Sequence, residues 1–275
     1  MSSITWLHVG GGAETFTPRT VDNLCRFIKT HQRPYVVMGA GSNVLVRDGG
    51  IDAVVVRMHR ACKDFDIADH HVDVGAGLLD RYVAERCADL GMSGLEFMYT
   101  IPGAIGGGVA MNAGCYGAEF ADRIICVWVM DDRGTVHQIM PCDLKFGYRS
   151  SGLPNGWIVI KARLRVAQST PQAVWSTMRT LFERRHTDQP SGVRTGGSTF
   201  KNSPPHKAWE LIDAAGYRGR CKGDACISDH HCNFLINRGH STAADLEDLA
   251  ENARQAVYTN SGVLLEWELI RWGKR

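Results

Sequence analysis

The chain has 275 residues, 44% of them apolar and 22% charged, which suits two modest folded domains and excludes a disordered segment. A net charge of +2, with the basic residues spread along the chain, leaves no electrostatic footprint for nucleic acid. No apolar run is long enough to span a bilayer, and MSSITWLHVGGG lacks the basic and apolar regions of a signal peptide, so the expectation is a cytosolic protein without membrane contact.

In chain order, HVGGGAETF at residues 8–16 is a glycine turn. Arg19 to His31 then places Val21, Leu24, Cys25 and Ile28 at helical spacing, with Thr20 as N-cap. Tyr35 to Met38 reads as a short strand running into GAGSN (39–43). Asp52 to Met58 and His71 to Ala76 are further strands, and Leu78 to Leu90 is a helix closed by Gly91. IPGAIGGGVAMNAGCYG (101–117) follows. Then come the strands Ile124 to Met130 and Thr135 to Ile139, joined by the turn DDRG, and the long strand Trp157 to Val166, whose Ala162, Leu164 and Val166 alternate with Lys161, Arg163 and Arg165. The break Gln168 to Pro171 sets an expected division into domains 1–167 and 168–275.

The second half opens with a helix over 171–185 and a Pro- and Gly-bearing segment that delivers Ser198 in GGSTFKN. The pattern is not the G-x-S-x-G elbow of hydrolases. Lys207 to Ala215 is a helix stopped by Gly216. Ser241 and Thr242 cap a second one, with Asp245 three residues after Thr242 and the stripe Leu246, Leu249, Ala250, Ala253 and Val257. Val263 to Trp272 reads as a strand that puts Glu266 and Glu268 on one side. The nine cysteines contain no CxxC and read as small buried thiols. Cys221, Cys226, His230, His231 and Cys232 match no ordinary zinc spacing, so no metal is expected.

Six glycines in seventeen residues make 101–117 the organising stretch. Without Cβ atoms its backbone N–H groups can close on a flat or anionic group, and the apolar Ile101, Ile105, Val109 and Met111 argue against an ordinary surface loop. Asn112 adds an amide that both donates and accepts, as the edge of a heteroaromatic ring requires. GAGSN is no dinucleotide fingerprint, because the third glycine position is Val44 and no helix opens there. It still supplies a strand end, small residues and free N–H groups for a pyrophosphate. Together the two loops point to a phosphate-bearing cofactor with an aromatic ring, flavin in preference to nicotinamide.

GAGSNVLVRDGG, IPGAIGGGVAMNAGCYGAE, FGYRSS, GGSTFKN, AWELIDAAGYRG, SDHHCNFLIN and GVLLEWELIRWG occur in the order found in the UDP-N-acetylenolpyruvoylglucosamine reductases, and from about Gly10 to Gly273 the chain resembles that family. The resemblance implies an α+β protein: an FAD-binding domain of the vanillyl-alcohol-oxidase / p-cresol methylhydroxylase type, then a smaller α+β substrate domain. It implies FAD as cofactor, NADPH as hydride donor, and UDP-N-acetylglucosamine enolpyruvate as substrate, reduced to UDP-N-acetylmuramate for peptidoglycan precursor synthesis. No obligate protein partner is implied.

The family's catalytic positions fall on Arg149, Ser198 and Glu268. A fixed cation suits the charge that develops beside the substrate carboxylate. A serine can protonate a basic enolate, and a glutamic acid held neutral near Trp267 and Leu269 can donate to it. By the same resemblance Gly39, Ala40, Gly41, Ser42, Asn43, Pro102, Gly103, Gly106, Gly107, Asn112 and Gly114 line the FAD. Tyr148, Lys201 and Asn202 lie by the substrate. Lys207 and Arg218 are alternative candidates for the diphosphate contact, and the sequence does not choose between them. The interval from Arg149 to Ser198 is too short for the extra substrate-covering loop of one family class, so the chain resembles the shorter class. An FAD-dependent oxidase on the same fold and a catalytically silent UDP-sugar binder are the rival readings.

Overall fold

The computed structural model describes residues 1–275, with helices and sheets in both of two compact units. A terminal unit consists of Met1–Glu14, Gly41–Asp52 and His186–Arg275, and a central unit of Thr15–Ala40 and Ala53–Arg185. These differ from the expected halves 1–167 and 168–275. The reason is long-range pairing: the strand Val44–Val46 lies parallel to the last strand, Ile270–Trp272, and Leu7, Val9 and Leu45 are buried among the apolar side chains of the C-terminal segment. No local pattern announces such a pairing.

The central unit is built on a five-stranded antiparallel sheet in the order Val136–Ile139, Ile124–Met130, Ile158–Arg165, His71–Gly75, Phe65–Ala68. Its inward face is apolar, with Val72, Val74, Val127, Val129, Ala162 and Leu164 fully buried. On the outward face the alternation puts Lys161 over Trp128, 4.1 Å from the ring centroid, and pairs Arg163 with Asp73 across the strands at 2.6 Å. Beside this sheet, Tyr35–Met38 and Ile51–Arg57 run parallel, with Met38 opposite Arg57. The helix Val21–Thr30 begins where expected, its N-cap Thr20 accepting from Asn23 N at 3.1 Å.

The glycine-rich stretch is more ordered than a loop. Ile105–Met111 (IGGGVAM) is a helix, Asn112 ends it in the left-handed region at φ 45°, and Gly114–Cys115 pairs with Ala118–Glu119. Each glycine inside a helix costs roughly 0.5–1 kcal/mol relative to alanine. Burial of Ile105 and Val109 at 0% exposure offsets this, and a β-carbon on Gly108 would lie 2.5 Å from the Phe120 ring. Packing, not propensity, makes this helix.

In the terminal unit a four-stranded antiparallel sheet, ordered Arg194–Ser198, Phe234–Asn237, Ala225–Ile227, Cys221–Lys222, packs with the helices Ala208–Ala214 and Ala243–Ser261. The long helix has the expected Thr242/Asp245 capping box, and its apolar stripe is buried. Asp48 adds a cap from far along the chain, accepting from Ala243 N at 3.0 Å and Ala244 N at 2.9 Å. The expected strand Val263 to Trp272 is regular only over Ile270–Trp272, with one further bridge between Phe200 and Trp267. Cys221 and Cys226, directly opposite on the hairpin Cys221–Lys222/Ala225–Ile227, form a disulfide, so the all-thiol expectation does not hold for this pair. No helix is long and apolar enough to cross a membrane.

Candidate functional site

The expected site residues fall on both units. The central unit carries Gly39, Ala40, Pro102, Gly103, Gly106, Gly107, Asn112, Gly114, Tyr148 and Arg149; the terminal unit carries Gly41, Ser42, Asn43, Ser198, Lys201, Asn202 and Glu268.

Within the central unit the two glycine segments meet. A β-carbon on Gly39 would lie 3.6 Å from the Ala104 Cβ and 3.9 Å from Gly107 N. Gly106 N donates to Ala76 O at 3.0 Å, whereas a β-carbon on Gly107 would meet nothing within 4 Å. The result is an accessible backbone surface of small residues at the carboxyl end of the strand Tyr35–Met38, a place where nucleotides are held in α/β architectures. A side chain at Gly107 would fill it, so the residues fit a flat, phosphate-bearing cofactor such as FAD.

Asn112 does something the sequence does not disclose. It is 0% exposed, donating Nδ2–H to Gly147 O at 3.0 Å and accepting from Ala121 N at 2.9 Å through Oδ1. Both ends of its amide thus hold backbone partners within the protein. Gly147 and Ser150 exchange backbone hydrogen bonds of 2.9 and 3.1 Å, so Tyr148 and Arg149 form the tip of a two-residue turn. Ser151 ties its base to Ala110 O at 2.8 Å. Arg149 sits at φ 56°, a conformation costly for a residue with a side chain, and its Nη2 donates to Gly114 O at 3.1 Å while its guanidinium lies 4.9 Å from the Tyr148 ring centroid. Gly114 and Arg149 are thus brought together by the turn that Asn112 anchors.

In the terminal unit Ser198 follows an irregularity in the strand pairing at Gly196–Gly197, a device that re-aims the next side chain. The segment after it is clamped from both sides. Asn233 O accepts from Thr199 N at 2.8 Å, and the buried Asn233 amide accepts from Phe200 N at 3.0 Å and donates to Phe200 O at 2.8 Å. Opposite, Glu268 N donates to Thr199 O at 2.8 Å and Lys201 N to Glu266 O at 2.8 Å, placing Glu268 beside Ser198–Thr199. Trp267 is fixed by the Phe200 ring at 5.0 Å, by Arg271 at 4.3 Å and by a 2.8 Å bond from Nε1 to Glu251. Asn233 is the residue that sequence reasoning missed; a lone amide inside the apolar run CNFLI was the available signal.

Asn43 connects a second expected region to this one, donating Nδ2–H to Glu268 O at 3.1 Å. Gly41 takes φ 68° and packs tightly against Ile4 O, with Trp6 N donating to Gly41 O at 3.1 Å. Lys201 Nζ lies 3.4 Å from the exposed Glu266. Asn202 Oδ1 accepts from Ala208 N at 2.9 Å and so caps the helix Ala208–Ala214. Arg218 is engaged by Asp213 through a bidentate pair of 2.8 and 2.7 Å that holds the Asp213 carboxyl below its ordinary range.

A family model described as an FAD binding domain matches residues 15–140, and one described as the C-terminal domain of UDP-N-acetylenolpyruvoylglucosamine reductase matches residues 189–272. The chain is similar to the UDP-N-acetylenolpyruvoylglucosamine reductase of Paramagnetospirillum magneticum, 43% identical over 100% of this chain and 91% of that protein. The same enzyme of Rickettsia conorii is 42% identical over 100% of this chain and 94% of its own. Among solved structures, the reductase from Thermus caldophilus superposes with a TM-score of 0.88 at 36% identity, covering 99% of this chain and 97% of that one.

Proposed function

The chain belongs to the UDP-N-acetylenolpyruvoylglucosamine reductase family, and from that membership we propose that it reduces the enolpyruvyl group of UDP-N-acetylglucosamine enolpyruvate to UDP-N-acetylmuramate, an FAD- and NADPH-dependent step of peptidoglycan precursor synthesis in the cytosol. The observation that carries the reading is similarity along the whole chain, at 43% identity, together with the placement of Glu268 against the Ser198–Thr199 segment.

FAD, when bound, would supply the hydride chemistry that links NADPH to the enolpyruvyl double bond. Gly39, Ala40, Gly41, Ser42, Asn43, Pro102, Gly103, Gly106, Gly107 and Gly114 are the residues we assign to holding it. Asn112 acts differently in our reading, by anchoring the Arg149 turn. Arg149, held at the tip of that turn, stabilises the negative charge that develops on the substrate beside its carboxylate. Ser198 Oγ–H gives its proton to the carbon that becomes basic, and Glu268, in its acid form, donates to the substrate carboxylate. Tyr148, Lys201 and Asn202 orient the UDP-sugar.

The test is an anaerobic stopped-flow trace of the flavin absorbance band, with NADPH added first and the enolpyruvyl UDP-sugar second. Bleaching followed by recovery on substrate is the expected result. Recovery only on admission of oxygen would indicate an oxidase, and ligand binding without any bleaching would indicate a silent UDP-sugar binder.

A further inference from the structure

The turn after the strand Ile51–Arg57 reads RMHRACK over residues 57–63, with Arg57, His59, Arg60 and Lys63 within seven positions. No carboxylate pairs with Arg57, Arg60 or Lys63, and the Asp64 that follows them is exposed and forms no ion pair with any of the three. Arg57 is only half-exposed, and its Nε is buried with no hydrogen-bond partner. Exposed cations in a turn need no partner, because water solvates them. A buried guanidinium N–H is different, since leaving it unpaired costs free energy that an arriving acceptor would recover. His59 reports the same excess of positive charge. Its ordinary pKa is pushed down, first by burial and then by Arg57, Arg60 and Lys63.

The fold puts this turn against the cofactor surface of the central unit. Arg57 stands opposite Met38, the residue before Gly39, at the carboxyl ends of two parallel strands. Val37 and Val56 point into the core, so by alternation Met38 and Arg57 belong to the other face. The turn's backbone packs tightly on a glycine step. A β-carbon on Gly77 would run into Met58 O and Ala61 O, and one on Gly75 into Cys62 O. Between those glycines, Ala76 O accepts from Gly106 N at 3.0 Å. The basic turn is therefore one backbone layer from the glycine-rich helix and adjacent in register to the start of the GAGSN loop.

We propose that the Arg57–Lys63 turn is a phosphate-binding element of the nucleotide site, with Arg57 hydrogen-bonding a phosphate of a bound nucleotide cofactor and Arg60 and Lys63 supplying the surrounding positive field. It rests on the reading that the chain binds FAD and uses NADPH. The glycine backbone offers N–H groups without a full charge, and this turn brings the countercharge that a phosphate demands. The phosphate has two sources: the diphosphate of FAD and the 2′-phosphate of NADPH.

Two variants test it, Arg57→Gln and the double variant Arg60→Gln/Lys63→Gln, each checked by circular dichroism for a wild-type fold. The flavin-free protein is titrated with FAD, following flavin fluorescence at low and high ionic strength. Separately, flavin bleaching by NADPH and by NADH is compared. Weakening of FAD binding by about tenfold in Arg57→Gln, with a flattened salt dependence in both variants, assigns the turn to the FAD diphosphate. Unchanged FAD binding with loss of the preference for NADPH over NADH assigns it to the 2′-phosphate. If both measurements match wild type the proposal is overturned, and the exposed double variant decides the matter even should Arg57→Gln fail to fold. Wild-type protein that binds FAD and bleaches but does not reduce the UDP-sugar would sink the proposed reaction alone. Wild-type protein that binds no FAD would sink both.

Discussion

Asn43 donates its side-chain amide to the backbone carbonyl of Glu268 at 3.1 Å, a bond spanning 225 residues of sequence. The backbone of Asn43 is engaged as well, its carbonyl accepting from Ile270 N at 3.1 Å. One residue of the GAGSN loop thereby sets the position of the chain that carries Glu268. Asn43→Ala leaves that carbonyl without its donor and is expected to lower stability by about 1 kcal/mol. It should also slow the substrate half-reaction more than the NADPH half-reaction, because it displaces Glu268. Thermal unfolding and stopped-flow on the two half-reactions check this, and equal slowing of both would argue against a positioning role.

Ser198→Ala removes the proposed proton donor without touching the Asn233 clamp, which acts on Thr199 and Phe200 through their backbone. The reoxidation of reduced flavin by substrate should fall by about 10²–10⁴-fold, with bleaching by NADPH unchanged. Glu268→Gln, which keeps a donor, should retain more of that step than Glu268→Ala. If the glutamine and alanine variants prove equally slow, the donor assignment for Glu268 fails.

Asn112→Ala deletes two part-buried hydrogen bonds, to Gly147 O and from Ala121 N, at a residue that is itself 0% exposed. We expect a loss of about 2–3 kcal/mol in stability. The Arg149 turn, no longer anchored, should show a lower kcat with little change in KM for the UDP-sugar. A variant destabilised to that extent with an unaltered kcat would separate Asn112 from Arg149 function.

Two buried carboxyl groups give opposite pH dependences. Glu247 is 1% exposed and receives Arg47 at 3.0 and 2.8 Å and Arg271 at 2.9 Å; the Arg47 hydrogen bond is the main cause holding its pKa below the usual range. Its folded pKa is depressed, so its stabilisation is present above the unfolded value of about 4.3 and is lost as pH falls through the folded one. Glu247→Gln should therefore cost about 2 kcal/mol at neutral pH, discounted for the partly exposed arginines, and almost nothing in acid.

Asp80 is 0% exposed, neither of its oxygens has a partner, and burial pushes its pKa well up. Here the folded value is raised. The protein then loses stability as pH rises from the unfolded carboxylate value of about 3.9 through the folded one. Asp80→Asn should raise Tm by a few °C at pH 8 and leave it nearly unchanged at pH 4. Melting curves across pH test both residues, and a Glu247→Gln penalty that persisted undiminished in acid would contradict the pairing.

Local pattern alone determined much of this protein. The Thr242 capping box with its apolar stripe, the alternation of Ile158–Arg165 and the Thr20 cap are all readable, because each depends on neighbours a few residues away. The order of seven motifs was enough to indicate the family. Only the tertiary structure decided that IGGGVAM is a helix, since its stability comes from Phe120 and the core and not from its own residues. It alone decided that Val44–Val46 belongs with Ile270–Trp272, that Asp48 caps a helix beginning at Ala243, and that Asn112 serves the Arg149 turn. Those contacts join residues far apart in the chain, where periodicity and spacing carry no signal.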